Sequence, residues 1–182
     1  MTEDELYNHF LEGDEASYDE LLIRLGDALI LYLNGYLHNW QDSEDLMIEA
    51  FSRIAVRRPA IRVGFRAYLY KTARNLAARS HSSKSRTTFF SLDDISDETP
   101  DSVVIEDRVI NSEQKRVLYR CLERIAPELR EALWLIYFEN LSYNEAAEVM
   151  KVTSRRINHL LSRGREHMRK ELEKEGLTDA NE

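Results

Sequence analysis

The segment FRAYLYKTARNLAARS (65–80) gathers arginine, lysine and tyrosine side chains and contains no carboxylate. Cationic side chains can follow a phosphate backbone while aromatic rings stack on unpaired bases, so this composition is typical of a surface for single-stranded nucleic acid. Tyr68 and Tyr70 would also suit the half-buried rim of an ordinary helical core, and the composition alone leaves both interpretations open. The chemistry indicated by the segment is the binding of a polyanion.

A second basic stretch, LSYNEAAEVMKVTSRRINHLLSRGREHMRK (141–170), has the pattern of a helix-turn-helix. Ser142 and Glu145 form an S-x-x-E capping box that begins a short helix, and Thr153 or Ser154 can cap the helix after the turn. The first turns of such a second helix face base edges in the major groove, where Arg can pair with guanine and Asn with adenine. Later basic side chains would contact phosphates. The candidate duplex-binding residues are Ser154, Arg155, Arg156, Asn158, His159, Arg163 and Arg165.

Both basic stretches lie in an acidic chain. The 182 residues carry a formal net charge of −8, yet residues 50–92 hold eight Arg, two Lys and no acidic residue, and residues 151–170 hold five Arg, two Lys and one Glu. Two basic blocks suit binding to a polyanion such as a nucleic acid. The acidic charge around them opposes indiscriminate binding elsewhere on the surface. The alternative is that each block is only the solvated face of a helix.

The apolar pattern that must position these residues is helical. From Tyr18 to Leu37 the apolar side chains recur at the 3, 4 and 7 spacing of one helix face, and Asp42 or Ser43 is expected to cap the next helix. The chain has only 6 Gly and 3 Pro, and this low content of turn-forming residues disfavours an all-β fold. We therefore predict an all-α fold of two small helical domains joined by a flexible acidic linker. The predicted boundaries are 1–81 for the first helical domain, 82–110 for the linker, 111–175 for the helix-turn-helix domain and 176–182 for a tail.

The composition also disfavours several classes of protein. The single cysteine, Cys121, lies in an apolar stripe and excludes an internal disulfide. The sequence contains no zinc-protease, P-loop or nucleophile-elbow motif, so we expect no enzymatic activity, no metal and no cofactor. The first 20 residues hold eight acids and no Lys or Arg, unlike a signal peptide, and no apolar stretch approaches the roughly 20 residues of a bilayer-spanning helix. The expected location is the cytoplasm.

Three segments, in this order, resemble parts of a bacterial RNA polymerase sigma factor of the sigma-70 family, extracytoplasmic-function class. DSEDLMIEAF (42–51) resembles the acidic motif that docks on the clamp helices of the largest polymerase subunit. FRAYLYKTARN (65–75) resembles the segment that captures the melted −10 promoter element. PELREALWLIYFENLSYNEAAEVMKV (127–152), with SRGRE (162–166), resembles the domain that reads the −35 element.

The resemblance implies a function and a set of partners. A protein of this class binds core RNA polymerase, recognises the −35 and −10 elements and assists promoter melting in transcription initiation. Its expected partners are core polymerase, promoter DNA in duplex and melted form, and an inhibitory anti-sigma factor, with no insertion into a membrane. The 57–64 loop would shape a pocket for an extruded base, and the acidic linker would thread through the cationic nucleic-acid channel of the polymerase.

The same resemblance assigns roles to residues. The polymerase-binding residues would be Asp42, Asp45, Leu46 and Glu49. The residues for the melted −10 element would be Arg57, Arg58, Arg62, Arg66, Tyr68, Lys71, Arg74, Asn75 and Arg79. The −35 element would be read by the seven duplex-binding candidates named above.

One alternative function is a polymerase-independent helix-turn-helix transcriptional regulator with an added helical effector domain. It explains the second basic block but leaves the acidic 42–49 motif and the aromatic-basic helix without a role. A pull-down with core polymerase separates the two functions. For the sigma-factor function we further expect the arginines of residues 65–80 to be available to DNA and not held by the chain's own carboxylates.

Overall fold

The computed structural model describes residues 1–81 and 113–177. In these two ranges the backbone forms eight α-helices and no β-strand, which confirms the predicted all-α fold. The predicted 82–110 linker, and the tail beyond residue 177, lie outside the described residues. The helices are α1 (Glu3–Leu11), α2 (Glu15–Leu37), α3 (Trp40–Arg57), α4 (Phe65–His81), α5 (Glu113–Glu123), α6 (Pro127–Leu133), α7 (Tyr143–Met150) and α8 (Ser154–Lys174).

Helix α1 begins at a capping box that the sequence analysis did not identify. The Thr2 hydroxyl accepts a hydrogen bond from the backbone N–H of Glu5, and the Glu5 carboxylate accepts one from the backbone N–H of Thr2 at 2.7 Å. The helix formed in this way brings Asp4 to the start of α4, where its Oδ1 accepts a hydrogen bond from the backbone N–H of Phe65 at 2.6 Å. A carboxylate at this position satisfies a free N–H group and suits the helix dipole.

Helix α3 begins earlier than predicted. Asn39 is its N-cap, and the Asn39 Oδ1 accepts a hydrogen bond from the backbone N–H of Asp42 at 2.9 Å. The prediction that Asp42 or Ser43 caps the helix is therefore wrong, since Asp42 lies exposed in the first turn and Ser43 is buried one residue further on. The helix starts at Trp40 because this side chain, only 9% exposed, packs into the hydrophobic core.

The C-terminal helices contain the predicted helix-turn-helix as α7 and α8. The capping box at the start of α7 is confirmed, because the Ser142 hydroxyl accepts from the backbone N–H of Glu145 and the Glu145 carboxylate accepts from that of Ser142. The turn passes through Lys151, whose backbone is left-handed at φ 56°. The Thr153 hydroxyl then caps α8 by accepting a hydrogen bond from the backbone N–H of Arg156.

Helix α8 crosses closely over the helix that precedes the helix-turn-helix. A Cβ atom added to Gly164 of α8 would lie only 3.0 Å from the Leu133 side chain at the end of α6. After Leu133 the chain continues as a π-helical turn, Trp134–Phe138, in which the buried Trp134 ring donates its Nε1–H to Glu139 Oε1 at 2.9 Å. A glycine therefore lets the two helices approach closely at this point, where any larger residue would press on Leu133.

Helix α4 joins the two groups of helices. It packs against α2 and α3 of the N-terminal group and also against α7 of the C-terminal group. Its buried side chains include Leu69 and Tyr70, and those of α7 include Ala146 and Ala147. The helix that the sequence identifies as a nucleic-acid surface therefore lies at the contact between the two groups. Across both described ranges, no helix combines the length and the apolar character needed to cross a bilayer.

Candidate nucleic-acid interface

One side of α4 borders a small cationic cleft. Together with the end of α3 it encloses a volume of about 160 Å³. Tyr68 is half-buried at the cleft wall, so its ring is partly available and partly packed against the core, as both sequence interpretations required. Polar and cationic side chains line most of the cleft, and such a cleft suits an anionic or polar ligand. The lining residues are Arg53, Ile54, Arg57, Tyr68, Thr72, Asn75, Leu76 and Arg79.

The other side of α4 is engaged by carboxylates of the same chain. The expectation that the arginines of residues 65–80 are available to DNA is wrong for Arg66 and Arg74, which form ion pairs with carboxylates. Lys71, between them, is paired with Glu148. The physical reason is that α1 and the C-terminal helices pack on this side of α4 and bring acidic side chains against it. Of the predicted −10 residues, the structure brings Arg57, Tyr68, Asn75 and Arg79 together at the cleft and places Arg66, Lys71 and Arg74 at the contact between the two groups of helices.

Arg66 is held by residues from both groups of helices. Its Nε donates to Glu3 Oε2 at 3.0 Å, and its Nη2 donates to the other oxygen of the same carboxylate. Its Nη1 donates to the backbone carbonyl of Glu139 at 2.7 Å and lies 3.8 Å from the Glu139 carboxylate. Burial raises the pKa of the Glu139 carboxyl above its ordinary value, although Arg66 and the Trp134 indole oppose this shift.

Arg74 meets a second enclosed carboxylate of this interface. Its Nε donates to Glu131 Oε1 at 2.8 Å, and the same oxygen accepts hydrogen bonds from the Tyr32 hydroxyl at 2.8 Å and the Tyr36 hydroxyl at 2.5 Å. Burial, and then the charge of Glu131, raise the pKa of both tyrosines, so each remains a protonated donor. A buried carboxylate is stable only when it is paired and hydrogen-bonded, and Glu131 satisfies both conditions.

Three predicted −10 residues lie in or next to the loop between α3 and α4. Arg57 and Arg62 are exposed. Arg58 is engaged instead: its Nη2 lies 2.7 Å from Glu15 Oε1, and its guanidinium lies 4.3 Å from the centre of the Phe10 ring. Its backbone is left-handed at φ 43°, because it forms the C-cap of α3. Arg58 therefore has a clear structural role where the sequence indicated only a binding role.

The start of α8 presents a stripe of exposed side chains. Arg155, Asn158, His159 and Arg163 are all exposed and lie on the outer surface of the helix, opposite the buried Ile157 and its apolar neighbours. This spacing places them where a recognition helix presents side chains to base edges and phosphates.

The other three predicted duplex-binding residues have partners within the chain. The Arg156 Nη2 lies 2.7 Å from Glu128 Oε2 of α6, and the Arg165 Nη1 donates to the Tyr137 hydroxyl at 2.9 Å. The Ser154 hydroxyl donates to Asn144 Oδ1 at 2.5 Å, and so ties the start of α8 to α7. The sequence-based choice of Ser154 as a contact residue did not anticipate this link within the helix-turn-helix.

The acidic motif of α3 lies on a solvent-facing surface. Asp42 and Asp45 are exposed, and Leu46 and Glu49 are half-buried. Glu49 accepts hydrogen bonds from Arg53 one turn further along at 2.6 and 2.9 Å. The motif therefore offers two exposed carboxylates beside an apolar side chain, an arrangement that suits a cationic partner surface.

The metal-ligating side chains of the described residues are dispersed. Among residues 1–81 and 113–177, the His, Cys, Asp and Glu side chains form no group of three that could hold a metal ion. The lone thiol, Cys121, is buried.

Two sequence families match successive parts of the chain. The family described as Sigma-70 region 2 matches residues 21–87, and the family described as Sigma-70, region 4 matches residues 115–168. The ECF RNA polymerase sigma factor SigW of Bacillus subtilis is 23% identical over 171 residues, which cover 88% of this chain and 91% of that relative. The RNA polymerase sigma-H factor of Pseudomonas aeruginosa is 24% identical over 186 residues, which cover 93% of each.

The fold has a counterpart among solved structures. The structure of CnrH in complex with the cytosolic domain of CnrY matches with a TM-score of 0.62 and 18% sequence identity, covering 92% of this chain and 95% of that chain. The likeness extends over both groups of helices. From the two matched regions and these relatives, the chain belongs to the sigma-70 family of promoter-recognising factors, in its extracytoplasmic-function class.

Proposed function

We propose that this chain is a promoter-specificity subunit that docks on core RNA polymerase, reads the −35 and −10 elements and helps to hold the promoter strands apart. In this function it performs no covalent chemistry and works in the cytoplasm. The helices of residues 1–81 form the polymerase-docking and −10 domain, and residues 111–175 form the −35 domain. The observation that carries the proposal is that one chain has two distinct cationic surfaces, the α3–α4 cleft and the exposed stripe of α8.

The cleft supports capture of the melted −10 element. Tyr68 and Asn75 lie in it beside Arg57 and Arg79, so a ring for stacking, an amide for hydrogen bonding and cations for phosphates are close together. Extrusion of a base from the duplex costs a few kcal/mol, and contacts of these kinds offset that cost. The exposed 57–64 loop adds Arg62 at the edge of the same surface.

The α8 stripe supports reading of the −35 element. Arg155 and Asn158 carry the groups that pair with guanine and adenine in a major groove, and Arg163 follows two turns later for a phosphate. Arg156 and Arg165 can join them once their surface partners, Glu128 and Tyr137, are exchanged for phosphates, because exposed pairs of this kind are weak.

The acidic surface of α3 supports docking on the polymerase. Asp42 and Asp45 project from the side of α3 that the core leaves uncovered, and Leu46 contributes an apolar contact beside them. Charged groups at an interface of this kind set partner choice and association rate more than they set total affinity.

A regulatory protein partner is also part of the proposal. CnrH is known in complex with the cytosolic domain of CnrY, and an anti-sigma factor is the corresponding kind of partner for this chain. An apolar groove of about 680 Å³ between α5, the π-helical turn and α8 offers room for such a partner. Leu118, Phe138 and Met168 are among its lining side chains.

The experiment is transcription by purified core polymerase on a fragmented genomic library, with and without the purified chain. The proposal predicts a discrete set of new transcripts that share upstream elements and that require both proteins. Tight duplex binding by the chain alone, with no capture of core polymerase and no new transcripts, would establish the polymerase-independent regulator instead.

A further inference from the structure

We propose that α1 sets the base selectivity of the −10 surface by holding the 57–64 loop in one shape, with Tyr7 as the positioning residue. The loop connects α3 to α4. Tyr7 is only 3% exposed, so it acts through the backbone of the loop and not by touching DNA. The inference rests on the proposed function, in which this loop borders the site of an extruded base.

The 57–64 loop has little regular structure of its own. Within the described ranges, the backbone groups of residues 60–63 form no hydrogen bond with the backbone of another residue. The backbone is left-handed near both ends of the loop, at φ 43° for Arg58 and φ 91° for Gly64. Ile61 and Val63 pack partly against the core. A segment with few internal hydrogen bonds opens easily, so the shape of this loop depends on the elements that contact it.

Tyr7 ties the backbone of the loop to the core. Its hydroxyl donates a hydrogen bond to the backbone carbonyl of Pro59 at 2.9 Å. The Tyr7 ring lies 5.0 Å from the ring of Phe65, the first residue of α4, so its position is fixed by aromatic packing. Burial raises the pKa of Tyr7, so the hydroxyl remains a protonated donor. The bond therefore couples a weakly structured loop to a rigid ring.

Two further side chains of α1 act at the ends of the loop. The Phe10 ring lies 4.3 Å from the Arg58 guanidinium, a geometry in which the ring face attracts the cation. At the other end, Asp4 Oδ1 accepts the hydrogen bond from the backbone N–H of Phe65, directly after Gly64. Helix α1 therefore contacts the loop where it leaves α3 and where it enters α4.

The shape of the loop bears directly on the −10 cleft. Arg57 begins the loop and Tyr68 lies one turn into α4, and both side chains line the cleft. A flexible binding surface can re-pack around different ligands, whereas a rigid one discriminates between them. All the contacts from α1 lie within residues 1–81, so they do not depend on where the C-terminal helices lie. Base selectivity should therefore depend on the bond between Tyr7 and Pro59.

The test compares two full-length variants that each lose one tyrosine hydroxyl. Tyr7→Phe removes the donor to the Pro59 carbonyl and keeps the ring in the core. Tyr18→Phe is the matched control, because its hydroxyl donates to the backbone carbonyl of Phe51 at 2.7 Å, within α3 and away from the loop. Thermal unfolding followed by circular dichroism checks that both variants are folded.

The first measurement is made on the chain without polymerase or DNA. Arg62 is exposed in the loop, and trypsin cleavage after this residue, followed by mass spectrometry, reports how often the loop opens. Tyr7→Phe should be cleaved there about 2- to 10-fold faster than wild type, as expected for the loss of one hydrogen bond. Tyr18→Phe should be cleaved at the wild-type rate.

The second measurement is base preference in the holoenzyme. The probes are fluorescent fork-junction DNAs from a promoter found in the transcription experiment, with a single-stranded −10 segment. Each −10 base is replaced in turn by the other three bases or by an abasic site. Tyr7→Phe should lower the preference at one position by about 2- to 10-fold, since one hydrogen bond that fixes the loop is lost. Its affinity for the probe that is abasic at that position should equal that of wild type.

The inference is overturned if Tyr7→Phe matches Tyr18→Phe either in cleavage after Arg62 or in base preference. Equal loss of affinity for every probe, the abasic ones included, would also overturn it, because that loss would reflect general destabilisation. A wild-type holoenzyme with no preference among the −10 probes would contradict the proposed function, and the inference with it. A wild-type preference that Tyr7→Phe retains would refute only the inference.

Discussion

Arg74 of α4 and Glu131 of α6 form an ion pair across the two groups of helices, with the Arg74 Nε 2.8 Å from Glu131 Oε1. Burial by itself would lower the pKa of Arg74, but the charge of Glu131 and its hydrogen bond raise the pKa overall. The pair turns a basic helix, which the sequence identifies as a DNA surface, into part of an internal contact. The predictions below address that contact, the two DNA-binding surfaces and the folded core.

Charge reversal on α3 should remove polymerase binding and spare the fold. Asp45 is exposed, and its Oδ1 accepts a long 3.5 Å hydrogen bond from Gln41 of the same helix. We expect Asp45→Lys to lose core polymerase in a pull-down while its melting temperature stays within a few degrees of wild type. Asp19→Lys, at an exposed site on α2, is the matched control and should bind normally. Normal polymerase capture by Asp45→Lys would contradict the docking role of this surface.

Substitutions in α8 should separate base reading from phosphate binding. Asn158→Ala should cost about 1–3 kcal/mol of discrimination at one base pair of the −35 element. Arg163→Ala should weaken binding to all DNA sequences alike. It should also reduce the slope of log affinity against log salt concentration by about 1, as expected for one lost phosphate contact. Electrophoretic mobility shifts of promoter variants with the assembled holoenzyme measure both effects. If Asn158→Ala lost the same affinity for every promoter variant, Asn158 would not recognise a base.

The turn of the helix-turn-helix should be stabilised by glycine. Lys151 adopts a left-handed backbone at φ 56°, which costs a non-glycine residue roughly 1–2 kcal/mol. Glycine removes this strain but adds entropy to the unfolded chain, so we expect Lys151→Gly to gain about 0.5–1 kcal/mol in free energy of unfolding. Lys151→Ala removes the same side chain but keeps the strain, and should gain nothing. Equal stability of the two variants in urea denaturation would show that the turn is unstrained.

Glu139 should make stability depend on pH. Burial raises its pKa in the folded chain above the ordinary value of 4.5, so the folded chain binds this proton more readily than the unfolded chain does. The stabilisation from this group is fully present below that ordinary value and is lost as the pH rises through the raised pKa. The free energy of unfolding of wild type, minus that of Glu139→Gln, should therefore fall between pH 4 and pH 7.

Glu20→Gln provides the control for the pH experiment, because Glu20 is a partly exposed residue whose ion-pair partner, Arg24, lies on the same helix. The difference between wild type and Glu20→Gln should stay nearly flat over the same interval. A difference for Glu139→Gln that rises with pH would mean that Arg66 outweighs burial at this site.

Cys121 should be unreactive in the folded chain. Its thiol is buried, and burial raises its pKa, so the reactive thiolate is scarce. Ellman's reagent should detect no thiol in native buffer and one thiol per chain in guanidinium chloride. Rapid reaction under native conditions would show that α5 detaches readily from the helices around it.

Local signals in the sequence were sufficient for much of the fold. The apolar stripe of α2 and the Ser142–Glu145 capping box depend on neighbours along one helix, so periodicity and cap chemistry predicted them. The Thr2–Glu5 box carried the same kind of signal and was overlooked. The start of α3 was predicted too late in the chain, because Asp42 and Ser43 are residue types that commonly cap helices. The burial of Trp40, which fixes the earlier start, depends on tertiary packing.

The contacts of the candidate site could not be read in the same way. Glu131 and Arg74 are 57 residues apart, and Glu139 and Arg66 are 73 residues apart. Whether an arginine meets DNA or a carboxylate of its own chain depends on how α6 and α7 pack on α4, which helical periodicity does not determine. The sequence therefore identified the basic helix but not the division of its surface into an accessible cleft and a covered side.

The most direct measurement of promoter opening is permanganate footprinting of a promoter found in the transcription experiment. Unpaired thymines react with permanganate, so the footprint reports strand separation at the −10 element. We predict reactive thymines there only when core polymerase and this chain are both present, and their loss with Tyr68→Ala. Duplex that stays unreactive with both proteins bound, or that opens with core polymerase alone, would contradict the assignment of this chain as the promoter-specificity subunit.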